Sequence, residues 1–341
     1  MSKMTRRAWS RKTLGGLAAA AAGAGRLGAA ESGQAGGAAG RHTYRYMHLD
    51  VFTDRLLTGN QLAVFLEPAG LDTDTMQSIA REMSFSESTF VFPPEDAKTD
   101  RRVRIFGENS ELPFAGHPTI GTTFALAEAG QIKPDRQRIV LGLGVGPIPV
   151  DLEWKADKLA FAWMTQLAPT FGKTIDDVNA LAACLGVDAA AIKGTGKSPQ
   201  EVSCGSMFLF VPMTTRQAVD SAVVDRRAIE SLYKQLGMER RGVFVFSTER
   251  SGDGATAYSR MIGAGGSEDP ATGSATGPLG CYLVRHGLVT AAEAEKMVSL
   301  QGVRMKRPSR LHINVTMSGS EITRVRVGGE SQVVGEGAVR V

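Results

Sequence analysis

Two stretches of the chain carry residues that could do chemistry, and they read as copies of one another. The first is Glu111-Leu112-Pro113-Phe114-Ala115-Gly116-His117-Pro118-Thr119, and the second is Glu268-Asp269-Pro270-Ala271-Thr272-Gly273-Ser274-Ala275-Thr276. They agree at Glu, Pro, Gly and Thr, with an offset of 157 residues (273 − 116). His117 and Asp269 titrate, Ser274 offers a hydroxyl, and Gly116 and Gly273 allow the backbone to approach a ligand closely. A third candidate is Glu87, set in Ser84-Phe85-Ser86-Glu87-Ser88-Thr89-Phe90-Val91-Phe92. A carboxylate ringed by Ser86, Ser88 and Thr89 and flanked by phenylalanines is placed to be half-buried, with its pKa lifted. Such a group suits general acid/base work, and histidine is a frequent proton partner. Each residue also has a plainer use: Ser274 as a helix cap, Asp269-Pro270 as a turn, Glu87 as a solvated junction.

The elements that must position these groups follow from what comes next. Each motif leads into a helix-length segment closed by a glycine, Gly130 or Gly287, 14 residues after the motif glycine (130 − 116; 287 − 273). Ile120, Phe124, Ala125 and Leu126 in one segment, and Leu279, Cys281, Tyr282, Leu283 and Val284 in the other, leave almost no polar face. Helices apolar all round are buried helices, and a trailing glycine is a common stop. Two similar lobes are therefore expected, each with a central helix whose N-terminus carries the motif. A helix N-terminus presents unpaired N–H groups that attract carboxylates and phosphates. Ser274 is expected at the N-cap of the second helix, and His117 at the same place in the first, with Pro118 opening the helical turns.

Around these, strands are expected over 44–52, 61–66, 103–106, 207–211, 243–246, 311–317, 322–327 and 332–334, and a hairpin over 138–154. Helices are expected over 72–83, 175–185, 227–237 and 291–298. The first lobe spans 44–166 and the second 167–327, with 328–341 returning to the first. No P-loop, nucleophile elbow, zinc motif or dinucleotide fingerprint appears, so a site without metal or cofactor is expected. The three cysteines, Cys184, Cys204 and Cys281, lack metal-type spacing, and Cys184 and Cys281 are expected to be buried.

Residues 1–30 read as a twin-arginine-type leader: Arg6-Arg7, a mildly apolar run over 14–25 too short to span a membrane, then Gly28-Ala29-Ala30 as a cleavage site. Export to the periplasm is the expectation, with residence in the cytoplasm if the leader does not act, and 31–43 is a flexible linker. The leader also explains the charge. It holds six basic residues and no acid, so the chain's net +4 becomes −2 without it (4 − 6), which gives no argument for nucleic acid.

The three motifs resemble the PhzF family of phenazine-biosynthesis proteins, with 47–65 and Leu300-Gln301-Gly302-Val303 adding to the match. The resemblance covers roughly 44–341. It implies an α+β, diaminopimelate-epimerase-like fold of two pseudo-symmetric lobes, each a curled mixed or antiparallel sheet around a central helix, and a homodimer. It implies an isomerase of the trans-2,3-dihydro-3-hydroxyanthranilate type, working without cofactor on a small carboxylate-bearing substrate. Glu87 would be the general acid/base, with His117, Asp269 and Ser274 holding the substrate and assisting, and Gly116 and Gly273 lining the carboxylate site. The chain departs from the family pattern at Gly107-Glu108 and Gln61, where Thr-Pro and Pro are frequent, and in its leader, which leaves the substrate open. Two other functions fit the same scaffold: an amino-acid racemase or epimerase, and a non-catalytic periplasmic binding protein. The racemase branch uses a thiol at each helix N-terminus, where this chain has His117 and Ser274.

Overall fold

The chain builds one series of elements twice. In the computed structural model, residues 42–263 and 266–341 are described, so the leader and nearly all of the linker lie outside the described residues. The first series is β1 (Thr43–Val51), β2 (Asn60–Phe65), α1 (Thr73–Met83), β3 (Glu87–Phe92), β4 (Arg101–Gly107), β5 (Glu111–Leu112), α2 (Gly116–Glu128), β6 (Arg138–Leu143), β7 (Gly146–Lys155) and β8 (Lys158–Thr165). Next come β9 (Thr170–Thr174), α3 (Val178–Cys184) and α4 (Ala189–Lys193). The second series is β10 (Gln200–Ser203), β11 (Met207–Pro212), α5 (Arg216–Ser221), α6 (Arg226–Gln235), β12 (Val243–Ser247), β13 (Ala257–Ile262) and β14 (Glu268–Asp269). It continues through α7 (Gly273–Arg285), α8 (Ala291–Ala294), β15 (Met297–Gln301), β16 (Ser309–Ser318) and β17 (Glu321–Gly329), and β18 (Ser331–Arg340) closes the chain.

The pairings repeat as well. β1–β2 is antiparallel, β2–β3 parallel, β3–β4 antiparallel, β4–β6 parallel, and β6–β7–β8 antiparallel. β10 to β17 follow the same pattern strand for strand, with β5 and β14 as short partners of β4 and β13. β8 and β17 pair antiparallel and join the two lobes, while β18 lies beside β1 and β9 beside β10. A parallel pair needs a crossover, and α1 supplies it in one lobe, α5 and α6 in the other.

Each sheet curls round its central helix. Ile120, Phe124, Ala125 and Leu126 of α2 pack with Leu49, Val51, Leu62, Val150 and Met164. Ala275, Leu279, Cys281, Tyr282 and Leu283 of α7 pack with Phe210, Phe244, Ile313 and Val315. Burial on every side is what holds these glycine- and threonine-rich helices, since intrinsic propensity would not. Both are 13 residues long and both close in the same way. Gly130 and Gly287 take φ of 68° and 63°, and Gln131 N–H and Leu288 N–H each reach back to a helix carbonyl at 2.9 Å.

Several expectations change. The helix expected over 291–298 is one turn, α8, and Met297 onward is a strand, because β15 must pair with β13 and β16. β8, β9, β10, β13, α4 and α5 are unforeseen; β13 is buried along its whole length and so shows no alternation to read. Among the described residues no helix is long and apolar enough to cross a membrane.

Candidate active site

The two central helices meet head to head. A Cβ on Gly116 would stand 2.4 Å from the Gly273 carbonyl carbon and 2.5 Å from Ser274 N, and one on Gly273 would stand 3.0 Å from Gly116 Cα. These glycines approach each other, a closeness no side chain would allow, and only then a ligand. Neither helix has a side-chain cap on its first amides, so N–H groups of both first turns are left for an anion.

Here the expected caps need correction. Helix α7 starts at Gly273, so Thr272 is its N-cap position and Ser274 already lies in the first turn, half-buried on the cavity wall. Helix α2 starts at Gly116 after Ala115, which places His117 and Pro118 at its second and third residues.

A cavity of about 480 Å³ opens at this junction, lined among others by Phe85, Ser86, Glu87, Phe114, Asp269 and Ser274. Glu87 reaches it by a short chain of local causes. Asp72 caps α1 by accepting the Thr75 N–H at 2.7 Å, and Met76, Ile79 and Ala80 bury the helix. Ser84 then turns the chain at φ 54°, so that β3 begins on Glu87. Strand alternation sends Glu87, Thr89 and Val91 toward α2, where Thr89 and Thr122 share a 2.9 Å hydrogen bond. Ser88 and Phe90 point to the opposite face, with Phe90 packed among Met76 and Ile79. The expected ring of hydroxyls therefore does not form: of Ser86, Ser88 and Thr89, only Ser86 lines the cavity.

His117 is placed differently from the expectation that it faces substrate. It is 3% exposed and absent from the cavity wall, standing behind Glu87 with Nε2 3.3 Å from Glu87 Oε2. The two atoms are not aligned for a hydrogen bond, and neither has another partner. Oε2 is sealed from solvent, yet Glu87 keeps 19% of its side chain exposed, so Oε1 is the oxygen that faces the cavity.

Burial, and then the charge of Asp269, push Glu87 up to about 8. Burial pushes His117 down to about 3, against the pull of the Gln61 carbonyl, so the ring stays neutral and brings no charge to its neighbour. Asp269 is also raised by burial, while donors from Thr272, Asn60 and Ser86 work the other way. Glu268, next to it, is held by Arg260 in a two-point pair at 2.9 and 2.8 Å. Among the described residues no lysine or arginine lines the cavity.

Three residues of the site escaped the sequence: Asn60, Thr272 and Gln301. Asn60 Nδ2 donates to Asp269 Oδ1 at 2.7 Å and to the Ala271 carbonyl at 3.0 Å, and lies 3.1 Å from His117 Nδ1, tying the two motifs together. The Thr272 hydroxyl donates to Asp269 Oδ2 at 2.5 Å. Asn60 opens β2, one residue before the strand expected over 61–66, and nothing in the spacing marks it.

A duplicated scaffold with helix ends apposed and the Glu87 carboxyl facing the cleft between them defines a two-lobed protein of the diaminopimelate-epimerase-like fold. The comparisons agree. The family model for phenazine biosynthesis-like proteins matches residues 49–337, and the chain belongs to that PhzF family. It is 34% identical over 296 residues to the trans-2,3-dihydro-3-hydroxyanthranilate isomerase of Pseudomonas aeruginosa, covering 86% of this chain and 98% of that protein. It is 33% identical over 300 residues to an uncharacterized isomerase of Mesorhizobium japonicum, with 86% and 98% covered. The crystal structure of a PhzF-family phenazine biosynthesis protein from Bacillus anthracis superposes with a TM-score of 0.77 at 24% identity, over 88% of this chain and 100% of that one. With relatives that are isomerases and a site of this kind, the protein is an isomerase.

Proposed function

We propose that the protein moves a proton between carbons of a small carboxylate-bearing substrate without a cofactor, in the manner of trans-2,3-dihydro-3-hydroxyanthranilate isomerase, and that Glu87 is the general acid/base. The observation that carries this is the single open oxygen, Glu87 Oε1, on a carboxyl that burial and Asp269 push up to about 8. Oε1 takes the proton from one carbon, the C–H electron pair becomes the new π bond, and the displaced double bond receives the proton back at its far end. One group serves both halves of the transfer, so donor and acceptor carbons lie on one face of the substrate.

The rest of the site supports this division of labour. The substrate carboxylate is met by the first-turn amides at Gly116 and Gly273 and by the Ser274 hydroxyl, since among the described residues no cationic side chain lines the cavity. Asp269 stands as a fixed charge, and His117 backs Glu87. Racemisation would need an acid and a base on opposite faces, and the helix ends offer no thiol: Cys184, Cys204 and Cys281 are all buried away from the cavity wall. A binding protein would gain nothing from a carboxyl so perturbed.

With its titration near 8, Glu87 is roughly one-tenth ionised at pH 7. On trans-2,3-dihydro-3-hydroxyanthranilate, kcat/KM is therefore expected to rise with pH and level off above about 8. A profile flat from pH 5 to 9 would remove the carboxyl base. Two further proposals carry over from the sequence. A homodimer should show by sedimentation, and a monomer at micromolar concentration would refute it. Export should fail in Arg6→Lys/Arg7→Lys on cell fractionation; full-length wild-type chain found in the cytoplasm would refute it.

A further inference from the structure

Three positions differ in kind between the two halves of the duplicated scaffold. Where the second lobe has Asp269 and Thr272, the first, 157 residues earlier, has Leu112 and Ala115, and where it has Gln301 the strand register (Ala257 beside Ser299, as Arg101 beside Leu141) sets Leu143. The polar set is thus an addition to one lobe, and packing of the shared scaffold does not call for it. Gln301 ends β15 and is fully buried. Its Nε2 donates to the Asp269 carbonyl at 2.7 Å and to Thr272 Oγ1 at 2.9 Å, and its Oε1 accepts the Thr272 N–H at 3.1 Å. The amide cannot be turned round, because that would set oxygen against the Asp269 carbonyl and NH₂ against the Thr272 N–H.

The consequence is one of hydrogen-bond polarity. Thr272 Oγ1 accepts from Gln301, so its one proton goes to Asp269 Oδ2, 2.5 Å away. Asp269 Oδ1 accepts from Asn60 Nδ2 at 2.7 Å, and the Ser86 hydroxyl divides its one proton between Asp269 Oδ1 at 3.4 Å and Asn60 Oδ1 at 3.3 Å. We propose that Gln301 is a positioning residue: it aims the Thr272 hydroxyl at Asp269 and so holds Asp269 as a fixed carboxylate beside Glu87. The importance of this for turnover rests on Glu87 being the acid/base; the hydrogen-bond relay itself does not.

The relay can be tested without substrate. Protein labelled with ¹³C at aspartate carboxyls is titrated by NMR, with Asp269 assigned from Asp269→Asn. Gln301→Leu keeps the bulk of the side chain and removes both donors, and is expected to raise the Asp269 midpoint by about one pH unit or more, the scale of losing a hydrogen bond to a charged group. Thr272→Val should raise it similarly, and the double variant no further, because Gln301 acts through Thr272. Gln301→Asn, which is too short to reach, should not restore the wild-type midpoint. An unchanged midpoint in folded Gln301→Leu, or shifts that add in the double variant, would overturn the proposal. If Gln301→Leu does not fold, Thr272→Val decides alone, and an unmoved Asp269 there overturns it equally.

Discussion

Glu87→Gln is expected to make the protein more stable at alkaline pH while it abolishes turnover. Glu87 titrates near 4.5 when unfolded and near 8 when folded. Below about pH 4.5 both states hold the proton and nothing is lost. Between 4.5 and 8 the unfolded chain releases a proton that the native protein keeps, so wild-type stability falls as pH rises, and the full loss is in place above 8. His117 works in the other direction, with 3 in the folded state against 6.5, so its contribution is lost as pH falls from 6.5 toward 3. From this pair alone, stability is greatest between about 4.5 and 6.5, where the two slopes cancel. Gln cannot ionise, so the alkaline fall should disappear in the variant, a gain on the order of a few kcal/mol at pH 9 relative to pH 5. Urea unfolding of both proteins across pH checks this. Parallel curves would mean that Glu87 is not held protonated in the folded state.

Gly116→Ala is the second large effect. Its Cβ would meet three backbone atoms of Gly273 and Ser274 within 2.5 Å, and backbone cannot rotate aside as a side chain can. The helix ends must part, at a cost on the order of 3 kcal/mol or more, and the anion site between them opens with it. Gly273→Ala should be milder, since its nearest contacts are the Phe52 ring at 2.9 Å and Gly116 Cα at 3.0 Å. Chemical denaturation and carboxylate-ligand binding together check the pair. Wild-type stability and affinity in Gly116→Ala would show that the ends are not tightly apposed.

Much of this scaffold is legible in the chain itself. The paired helices can be read because 157-residue spacing, apolar faces and terminal glycines are all local patterns, and the resemblance of the three motifs carried the fold and the family. That Gly116 and Gly273 face each other is not legible, because what fills the space above a glycine is a tertiary fact. His117 is placed on the cleft wall by its motif, but strand β3 puts Glu87 between it and the cavity. The hydroxyls around Glu87 look like partners in one dimension and are split between two faces by alternation. Asn60, Thr272 and Gln301 come from three elements spread over 241 residues (301 − 60), and no spacing rule joins them.

The central claim is that Glu87 carries the proton between carbons. Its most direct test is deuterium incorporation from D₂O into trans-2,3-dihydro-3-hydroxyanthranilate and its product, comparing wild type with Glu87→Gln under conditions where both are fully folded. Wild type should place deuterium on carbon, and Glu87→Gln should fall by about 10⁴-fold or to background, the upper range for loss of a general acid/base. Incorporation by Glu87→Gln at the wild-type rate would contradict the account.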